Sequence, residues 1–384
     1  MRNLRVLALE AYYGGSHRQF LDTWIAHSRH DWTVLTLPAR HWKWRMRGSA
    51  LWFAEQIERL SLTEENAPAG RFDVLFTSDM TSITDLKALW PAGMSPPPVV
   101  CYFHENQLTY PLSPDDWRDF QYGFTNITSA LAADGLWFNS ASHRDAFLAS
   151  AGELMGKMSD FVPVNALPAI QSRACIQYPV VEPCPHDVSA PRSLETPVRI
   201  LWSHRWEYDK DPDTFMDVIR RLDAAGADFE LVLVGEQFRT LPAAFRDVPA
   251  RLRERVVHAG FIEDRNEYWR MISSCDVIVS TAIQENFGLA VCEAILAGCF
   301  PLLPNRLSYP ELIPREQHAQ SLYASPDDLL KRLQAICCSS EGRRSAQANA
   351  ASIQAWVTAQ YAAPAQSSRL DDALGGVSHL KQPQ

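Results

Sequence analysis

Apolar runs alternate with amphipathic segments along most of the chain. Short apolar runs are typical of strands buried in a parallel sheet, whereas apolar positions three or four apart predict helices. In the first half, the runs predict strands at residues 4–9, 33–37, 73–77, 99–103 and 136–139. The amphipathic segments predict helices at 16–29, 117–133 and 141–151. Alternation of this kind predicts an α/β fold with a doubly wound parallel sheet.

A second series of strands and helices follows a proline-rich stretch, 179–185, and a polar segment that runs to Pro197. The predicted strands are 199–202, 229–234, 255–259, 277–279 and 300–303. The predicted helices are 213–225, 242–253, 266–273, one that begins near Leu289 and ends before Gly298, 327–337 and 347–361. We interpret the proline-rich piece as a domain boundary, because such linkers separate compact units.

The length of 384 residues favours two domains, each large enough to bury its own core. We predict one domain over 1–185, a second over 197–342, and a C-terminal helix with a flexible tail over 343–384. Both domains should be Rossmann-like. Two such domains that face each other would form a central cleft lined by the carboxyl ends of both sheets, where ligands bind in such folds.

The composition excludes several classes of protein. It is 46% hydrophobic and 21% charged, as in ordinary globular proteins, and no run reaches the roughly 18 apolar residues of a membrane helix. A strand begins almost at once, so we expect no secretion signal. The eight cysteines include no C-x-x-C pair, which favours a reducing compartment and a cytoplasmic location. The net charge of −9 means that contact with nucleic acid would require a local patch of positive charge.

The stretch 276–298 combines a strand, a loop and a helix. Gly288 ends the loop where the chain must turn tightly, and the unpaired N–H groups of the new helix favour an anion such as phosphate. Glu285 lies in the loop and Glu293 one turn inside the helix, so both can face one crevice. Two carboxylates beside an anion site suit a nucleotide sugar, although a solvated loop and a helix surface also contain such residues.

The loop after the strand at 199–202 carries Arg205 and Lys210, which could both reach one diphosphate. An Asp-x-Asp pair follows, and some transferases use such a pair to hold a divalent metal. Here Pro212 precedes a helix, so we expect Asp211 or Asp213 to cap that helix. We therefore predict no metal, because the two cations can neutralise the phosphates.

Two loops of the first half have the composition of a binding site. Gly14, Gly15 and Ser16 precede a helix, with the serine placed to cap it, and could wrap a diphosphate or admit an acceptor beside His17. His104 ends another strand and is followed by Glu105, Asn106 and Gln107. This histidine could position an acceptor hydroxyl, although a single histidine is more often structural.

The segment after the second strand, 38–48, reads as a loop in which four cations alternate with two tryptophans. Its residues include Trp42, Lys43, Trp44, Arg45 and Arg47. Positive charge alternating with aromatic surface suits single-stranded nucleic acid. A solvated loop with tryptophans folded into the core is an equally weighted interpretation.

The motifs together resemble a known family. Arg205, Lys210, the Glu285-Asn286-Phe287-Gly288 loop and Glu293 resemble the donor site of retaining glycosyltransferases with the GT-B fold. The stretches EAYYGGSH, LPARHWKWRMRGSALWF, YFHENQLTYP, DFQYGF and SHRWEYDKDPDTF are similar to the tRNA-queuosine α-mannosyltransferase family. The similarity covers about residues 4–333.

The resemblance implies transfer of mannose from GDP-mannose to the queuosine at the wobble position of tRNA, with the α configuration retained and without a cofactor. The implied catalytic residues are His104, Arg205, Lys210 and Glu285. The implied donor-binding residues are Gly14, Gly15, Arg205, Lys210, Glu285, Asn286, Phe287, Gly288, Leu289 and Glu293. The expected acceptor-binding residues are His17, Trp42, Lys43, Trp44, Arg45, Arg47, Glu105, Asn106 and Gln107.

Two alternatives remain from the residues alone. One is a GT-B enzyme that transfers a hexose to another glycan or to a small molecule. The other is a non-catalytic protein that binds a nucleotide sugar or RNA. The presence of Arg205, Lys210, Glu285 and Glu293 together disfavours the second alternative, and hydrolysis of the donor would separate the two.

Overall fold

The computed structural model describes residues 2–63, 72–111, 117–185, 192–237, 242–246 and 250–379. The chain forms two compact units. Unit 1 comprises Met1–Val180 and Ala363–Gln384, and unit 2 comprises Val181–Ala362. No helix in the described ranges is both long enough and apolar enough to cross a membrane.

Unit 1 is built on a six-stranded parallel sheet in the order β2-β1-β3-β4-β5-β6. The strands are β1 (Arg5–Tyr13), β2 (Asp31–Pro38), β3 (Val74–Ser78), β4 (Val99–Phe103), β5 (Gly135–Phe138) and β6 (Ala174–Ile176). The helices between them are α1 (Gly15–His27), α2 (Trp42–Thr63), α3 (Ile83–Ala88), α4 (Phe120–Ala132), α5 (Ala141–Gly156) and α6 (Ala166–Gln171). The side chains of β3, β4 and β5 are buried, as their apolar sequences predict.

Unit 2 contains a second six-stranded parallel sheet, in the order β12-β11-β10-β7-β8-β9. The strands are β7 (Val198–Ser203), β8 (Phe229–Val234), β9 (Val256–Gly260), β10 (Val277–Val279), β11 (Phe300–Pro304) and β12 (Leu322–Tyr323). The helices are α7 (Pro212–Ala224), α8 (Ala243–Arg246), α9 (Ala250–Arg253), α10 (Arg265–Ser273), α11 (Leu289–Leu296), α12 (Tyr309–Leu312), α13 (His318–Ser321), α14 (Pro326–Cys337) and α15 (Ser340–Tyr361). The expectation of two Rossmann-like units is therefore confirmed.

The prediction of a flexible tail is wrong. The residues after Ala363 form another helix, α16 (Ala365–Ser378), which returns to unit 1. Leu370 and Leu374 are fully buried in the same apolar cluster as Trp24. Asp371 accepts hydrogen bonds from Trp24 Nε1 and from the backbone N–H of Arg29, both at 2.8 Å. This helix was not predicted because its segment consists mainly of small and polar residues, with few apolar residues at helical spacing.

The domain limits also differ from the prediction. The first unit ends at Val180 rather than at residue 185, and the predicted third segment, 343–384, is divided between the two units. Helix α15 packs in unit 2, where Tyr361 makes an edge-on contact with Phe287. The chain therefore leaves unit 1 once, completes unit 2, and then returns.

Candidate active site

The strand order of each sheet reverses between two neighbouring strands. In unit 1 this occurs between β1 and β3, and in unit 2 between β7 and β10. A crevice forms outside the carboxyl ends of the strands at such a point, and ligands of α/β proteins bind there. The connections that leave these strands carry the predicted residues 14–17, 205–210 and 285–288. The topology therefore places a candidate site in each unit.

Lys210 and Glu285 form an ion pair in unit 2. The ammonium of Lys210 lies 3.3 Å from Glu285 Oε2 and donates to the carbonyl of Gln284 at 2.7 Å. Asp209 Oδ2 is 3.2 Å from the same ammonium. Burial alone would raise the pKa of Glu285, but the charge of Lys210 lowers it below its usual value. A cation held between two carboxylates can be shared with an anionic ligand.

The loop residues beside this pair have distinct placements. Gly288 is the N-cap of α11 with φ of 105°, and a Cβ there would lie 3.2 Å from Leu312 Cδ1, so the predicted tight turn is confirmed. The side chain of Phe287 is buried. Asn286 accepts a hydrogen bond from Gln284 Nε2 at 3.0 Å. Leu289 is the first residue of α11, so its backbone N–H belongs to the helix N-terminus.

Arg205 and His204 differ in their exposure although they are neighbours. The side chain of Arg205 is 43% exposed and its guanidinium lies 3.2 Å from Glu207 Oε2. His204 is buried, and burial lowers its pKa to about 3, so this imidazole is neutral. Gly235, at the end of β8, lies so close to the His204 carbonyl that a Cβ would clash with it. Arg205 is therefore the accessible cation of this loop.

Glu293 is paired differently from Glu285. Its Oε1 forms an ion pair with Arg265, and its Oε2 accepts a hydrogen bond from Tyr268 at 2.7 Å. Burial works against the charge of Arg265, but Glu293 raises the pKa of this guanidinium well above its usual value. The Arg265 guanidinium also bonds Glu182 at 2.8 Å. The carboxylate is therefore held in one orientation by groups from α10.

The Asp-x-Asp pair has the predicted structural role. Asp211 has φ of 50° and accepts a hydrogen bond from the backbone N–H of Thr214 at 3.1 Å, so it is the N-cap of α7. Pro212 is the first residue of that helix. The cap is confirmed, because the carboxylate satisfies one of the N–H groups that a helix start leaves unpaired.

A buried acid–histidine cluster occupies the switch point of unit 1. Glu10 Oε1 accepts hydrogen bonds from the Tyr12 backbone N–H at 2.8 Å and from Ser78 Oγ at 2.9 Å, and it lies 3.3 Å from His17 Nδ1. Burial disfavours the charged imidazole, but Glu10 outweighs it and the pKa of His17 rises to about 9. His17 is therefore a buried cation at neutral pH.

His104 stacks on this cation. The two imidazole rings are 4.0 Å apart between centroids and tilted by 31°. Burial, and then the charge of His17, lower the pKa of His104 well below its usual value. One histidine is thus charged and the other neutral, and the neutral ring can accept or donate one hydrogen bond.

Asp79 holds the loop that follows His104. Its Oδ1 accepts hydrogen bonds from the backbone N–H of His104 at 2.9 Å and from that of Glu105 at 3.5 Å. The residue is fully buried, and burial, followed by the charge of Glu105, raises its pKa to about 8. Asp79 follows directly after β3, and the polar Thr77-Ser78-Asp79 at a strand end is the signal that could have identified it.

Two asparagines hold the same loop from other helices and strands. Asn126 accepts the Gln107 backbone N–H at 2.9 Å and donates to the Asp79 carbonyl at 3.1 Å. Asn139 donates to the His104 carbonyl at 2.9 Å. These contacts fix the backbone of residues 104–107 from α4 and from the end of β5.

The residues of this loop predicted to contact an acceptor are not equivalent. Asn106 is buried, and its side chain bonds the backbone of Leu108 and the backbone and hydroxyl of Thr109, so it shapes the turn. The side chain of Asn106 is thus committed to the turn, and its predicted acceptor contact stays a prediction. Glu105 and Gln107 are partly exposed and bond each other at 3.1 Å. Both remain candidates for acceptor contact.

The paired glycines after β1 make a close turn. Gly14 is the N-cap of α1, and a Cβ there would lie 2.5 Å from Ala39 Cβ. Gly15 has φ of 50° and begins the helix. Ser16 lies inside the first turn, so its predicted role as the cap is wrong. The turn brings His17 back over Glu10.

Glu10, His17 and His104 place three metal-capable atoms within 4.8 Å of one another. The chemistry of these groups favours a hydrogen-bonded cluster. Glu10 Oε1 already accepts from Tyr12 and Ser78, and His17 is protonated, whereas a metal ligand must be a neutral imidazole. The expectation that the enzyme uses no metal remains a prediction.

The predicted basic loop is a helix. Residues 42–47 form the first turns of α2, because the segment continues into an amphipathic pattern that packs Met46 and Ala50 in the core. Lys43, Trp44 and Arg47 are exposed, with Trp44 at 74%. Arg45 donates to the Pro38 carbonyl at 3.1 Å, and Trp42 makes an edge-on contact with Tyr122. Lys43, Trp44 and Arg47 are therefore on the surface of the helix, whereas Trp42 and Arg45 contact the rest of unit 1.

Two sequence families match successive parts of the chain. One, described as tRNA-queuosine alpha-mannosyltransferase N-terminal, matches residues 5–181, and the other, described as glycosyl transferases group 1, matches residues 187–352. A Drosophila melanogaster protein named tRNA-queuosine alpha-mannosyltransferase is 35% identical over 341 residues, which are 86% of this chain and 86% of that protein. The chain belongs to the tRNA-queuosine alpha-mannosyltransferase family. The resemblance inferred from its motifs is confirmed.

More distant relatives of this tRNA-queuosine alpha-mannosyltransferase family member share one region or the fold. A GDP-mannose-dependent alpha-(1-6)-phosphatidylinositol dimannoside mannosyltransferase of Mycobacterium tuberculosis is 29% identical over 131 residues, 32% of each chain. Sucrose-phosphate synthase of Thermosynechococcus elongatus has a TM-score of 0.70 at 15% identity, covering 98% of this chain and 99% of that one. The Anabaena protein HepE in complex with UDP-glucose has a TM-score of 0.64 at 15% identity, covering 97% and 100%. The fold is GT-B, and the chain is a glycosyltransferase.

Proposed function

We propose that this glycosyltransferase moves mannose from GDP-mannose to the queuosine at the wobble position of tRNA and retains the α configuration. The observation that carries the proposal is the extent of the family match. It includes residues 5–181, which contain the His17–His104 cluster and the loop at 104–107. The proposal excludes a metal and a cofactor.

The donor half of the reaction rests on the charges of unit 2. Lys210, exposed Arg205 and the N-terminus of α11 supply positive charge where a diphosphate would gain negative charge as it leaves. The bond between the anomeric carbon and the phosphate oxygen breaks, and the acceptor hydroxyl attacks the same face. Its proton passes to a phosphate oxygen of the leaving group. No protein nucleophile is needed.

The carboxylates are assigned to the hydroxyl groups of the donor. Glu285, held ionised beside Lys210, would accept hydrogen bonds from the mannose hydroxyls. Glu293, oriented by Arg265 and Tyr268, would accept from the ribose hydroxyls. The amides around Phe287 and Gly288 would support the phosphate and the sugar.

The acceptor half rests on unit 1. The neutral His104 imidazole would sit beside the reacting sugar, where it can hydrogen-bond a hydroxyl without adding a charge. Glu105 and Gln107 would contact the cyclopentene-diol of queuosine. The clamp formed by Asp79, Asn126 and Asn139 would keep these groups in place.

Incubation with GDP-mannose and queuosine-containing tRNA, followed by mass spectrometry of the nucleosides, tests the proposal. We expect the mass of queuosine to rise by one hexose. Matched reactions with UDP-glucose, and with tRNA that carries guanosine in place of queuosine, should show no transfer. Transfer from UDP-glucose, or hydrolysis of GDP-mannose without modification of the tRNA, would contradict the proposal and favour another donor or acceptor.

A further inference from the structure

Helix α4 presents aromatic side chains to solvent on unit 1. Phe120 and Phe124, one turn apart, are 46% and 41% exposed. Trp117, just before the helix, is 80% exposed. Large aromatic residues are usually buried, and an exposed group of them marks a binding surface more often than a scattered apolar residue does. None of these three residues belongs to the cluster around His104.

The two phenylalanines line a cavity of about 480 Å³ between α3 and α4. This volume lies in the range of pockets that hold small ligands. Arg47 of α2 and Leu154 of α5 complete its wall, and Thr84 and Asp85 supply polar groups at the start of α3. The cavity therefore combines a flat apolar surface with a cation, a carboxylate and a hydroxyl.

The cations around the cavity lie against aromatic rings. Arg47 donates to Gln121 Oε1 at 2.9 Å, and its guanidinium is 5.3 Å from the centre of the Tyr122 ring. Lys157 places its ammonium 5.6 Å from the centre of the Phe120 ring. Exposed rings that can stack on a base, with cations for its phosphate, are what proteins use to bind single-stranded nucleic acid. A purely apolar partner would form no polar contacts with Asp85 and Arg47, which also line the cavity.

The cavity and the loop at 104–107 share two supports. Asp79 and the start of α3 belong to the same connection after β3, and Asp79 bonds the His104 backbone. Asn126, on the same helix as Phe120 and Phe124, bonds the Gln107 backbone. Because both lie at the carboxyl edge of one sheet, a nucleotide in the cavity would be a near neighbour of one held at His104.

We propose that the cavity between α3 and α4 binds an unstacked base of the acceptor RNA, next to the nucleotide that is modified. Phe120 or Phe124 stacks on the base, Asp85 accepts hydrogen bonds from N–H groups on its edge, and Arg47 and Lys157 contact the adjoining phosphates. This inference rests on the proposed function, because it needs a tRNA acceptor.

The test combines a protein change with an RNA change. The double substitution Phe120→Leu and Phe124→Leu keeps apolar surface but removes the rings, and Phe161→Leu, which alters a 95% exposed aromatic outside the cavity, is the matched control. Each protein is titrated without donor against queuosine-containing tRNA, intact or with one abasic position on either side of the modified nucleotide. We expect the double variant to bind intact tRNA about tenfold or more weakly.

At one of the two abasic positions, the affinity for tRNA should fall by a similar factor in the wild type and in the Phe161→Leu control. The double variant should bind this abasic tRNA no more weakly than it binds intact tRNA. Asp85→Asn should weaken binding to intact tRNA more than to that abasic tRNA. Wild-type affinity in the double variant, or losses that add independently at every abasic position, would overturn the inference. Melting temperature and hydrolysis of GDP-mannose confirm that each variant is folded.

The two proposals can fail separately. If the wild type does not mannosylate queuosine-containing tRNA, the proposed function fails, whatever the variants bind. If the wild type mannosylates it and the double variant has an unchanged KM for tRNA, the function stands and the cavity has another occupant, such as a protein.

Discussion

The switch points of the two units use their charged groups in different ways. In unit 2, Lys210 and Glu285 attract each other at a partly exposed loop, and Arg205 extends into solvent. In unit 1, the charge of His17 is already balanced by Glu10, and its neighbour His104 is neutral. In the first arrangement, a cation that is paired with a protein carboxylate can instead pair with an anionic ligand. In the second arrangement the charge of His17 is already paired, so neutral His104 is suited to orienting a neutral hydroxyl, which matches a division between donor and acceptor.

The largest effect on turnover is expected from removing the cations of unit 2. Lys210→Ala or Arg205→Ala would remove the proposed charge-assisted contact to the leaving diphosphate and should lower turnover by about a hundredfold or more. Arg221→Ala, which removes a surface cation paired with Asp327, is the control and should leave turnover unchanged. Turnover of Lys210→Ala within a factor of two of wild type, with the fold intact, would show that unit 2 does not use these charges.

The next effect concerns the rigid loop of unit 1. Asp79→Ala leaves the His104 N–H without its acceptor, and a displaced loop should reduce kcat by on the order of tenfold to a hundredfold with little change in donor KM. Asp79→Asn keeps an acceptor and resembles the protonated acid present below pH 8, so it should retain most of the activity there. Equal losses in both variants would mean that the charge of Asp79, and not its hydrogen bonds, matters.

The surface of α2 tests whether unit 1 contacts RNA through charge. Each phosphate contact to a single strand contributes about 0.7 to the log–log salt slope of binding. Replacing Lys43, Arg45 and Arg47 together by Ala should flatten the slope for tRNA by about two units if all three touch phosphate, and GDP-mannose affinity should hardly change. Because Arg45 bonds Pro38 in the structure, a smaller change is expected if only the exposed pair contributes. An unchanged slope would place the acceptor surface elsewhere.

The protonated His17 should make unit 1 sensitive to alkaline pH. Its pKa is raised from 6.5 to about 9, so its stabilising contribution is complete below pH 6.5 and is lost as pH rises through 9. Asp79 also loses stabilising energy as pH rises to about 8, because burial and then the charge of Glu105 raise its pKa, against the opposing charge of His17. Melting temperature should therefore fall between pH 6.5 and 9. It should fall less in His17→Gln, and an equal fall in that variant would contradict the assignment.

The smallest expected effect is that of a chelator. Two cations and a helix N-terminus can neutralise the diphosphate, so mannose transfer should continue at the wild-type rate in excess EDTA. The assay is the nucleoside mass measurement with and without chelator. Loss of activity in EDTA that magnesium or manganese restores would direct attention to Asp211 and Asp213, and loss that zinc restores to Glu10, His17 and His104.

The fold was predictable because its strands are short apolar runs and its loops carry compact motifs. Glu285, Lys210 and Gly288 were identified for the same reason, since their neighbours in space are neighbours in sequence or lie on adjacent strands. Arg265 was missed because it reaches Glu293 from a helix 28 residues earlier in the chain, and sequence spacing contains no sign of such a contact. Asp79 was missed although it follows β3, which pairs with β4, because the polar strand end Thr77-Ser78-Asp79 was not interpreted as part of a site. Helix α2 was missed because its first turns hold charges and tryptophans that resemble a loop.

The return of α16 to unit 1 has a consequence for the synthesis of the protein on the ribosome. Its Leu370, Leu374 and Asp371 cover the face of the sheet around Trp24, yet they are translated after the whole of unit 2. Unit 1 therefore cannot complete its core, and an apolar face stays uncovered, while about half of the chain is synthesised. Unit 2, which is continuous, can fold before unit 1 is complete. A stop codon after residue 362 would leave unit 2 intact and unit 1 prone to aggregation.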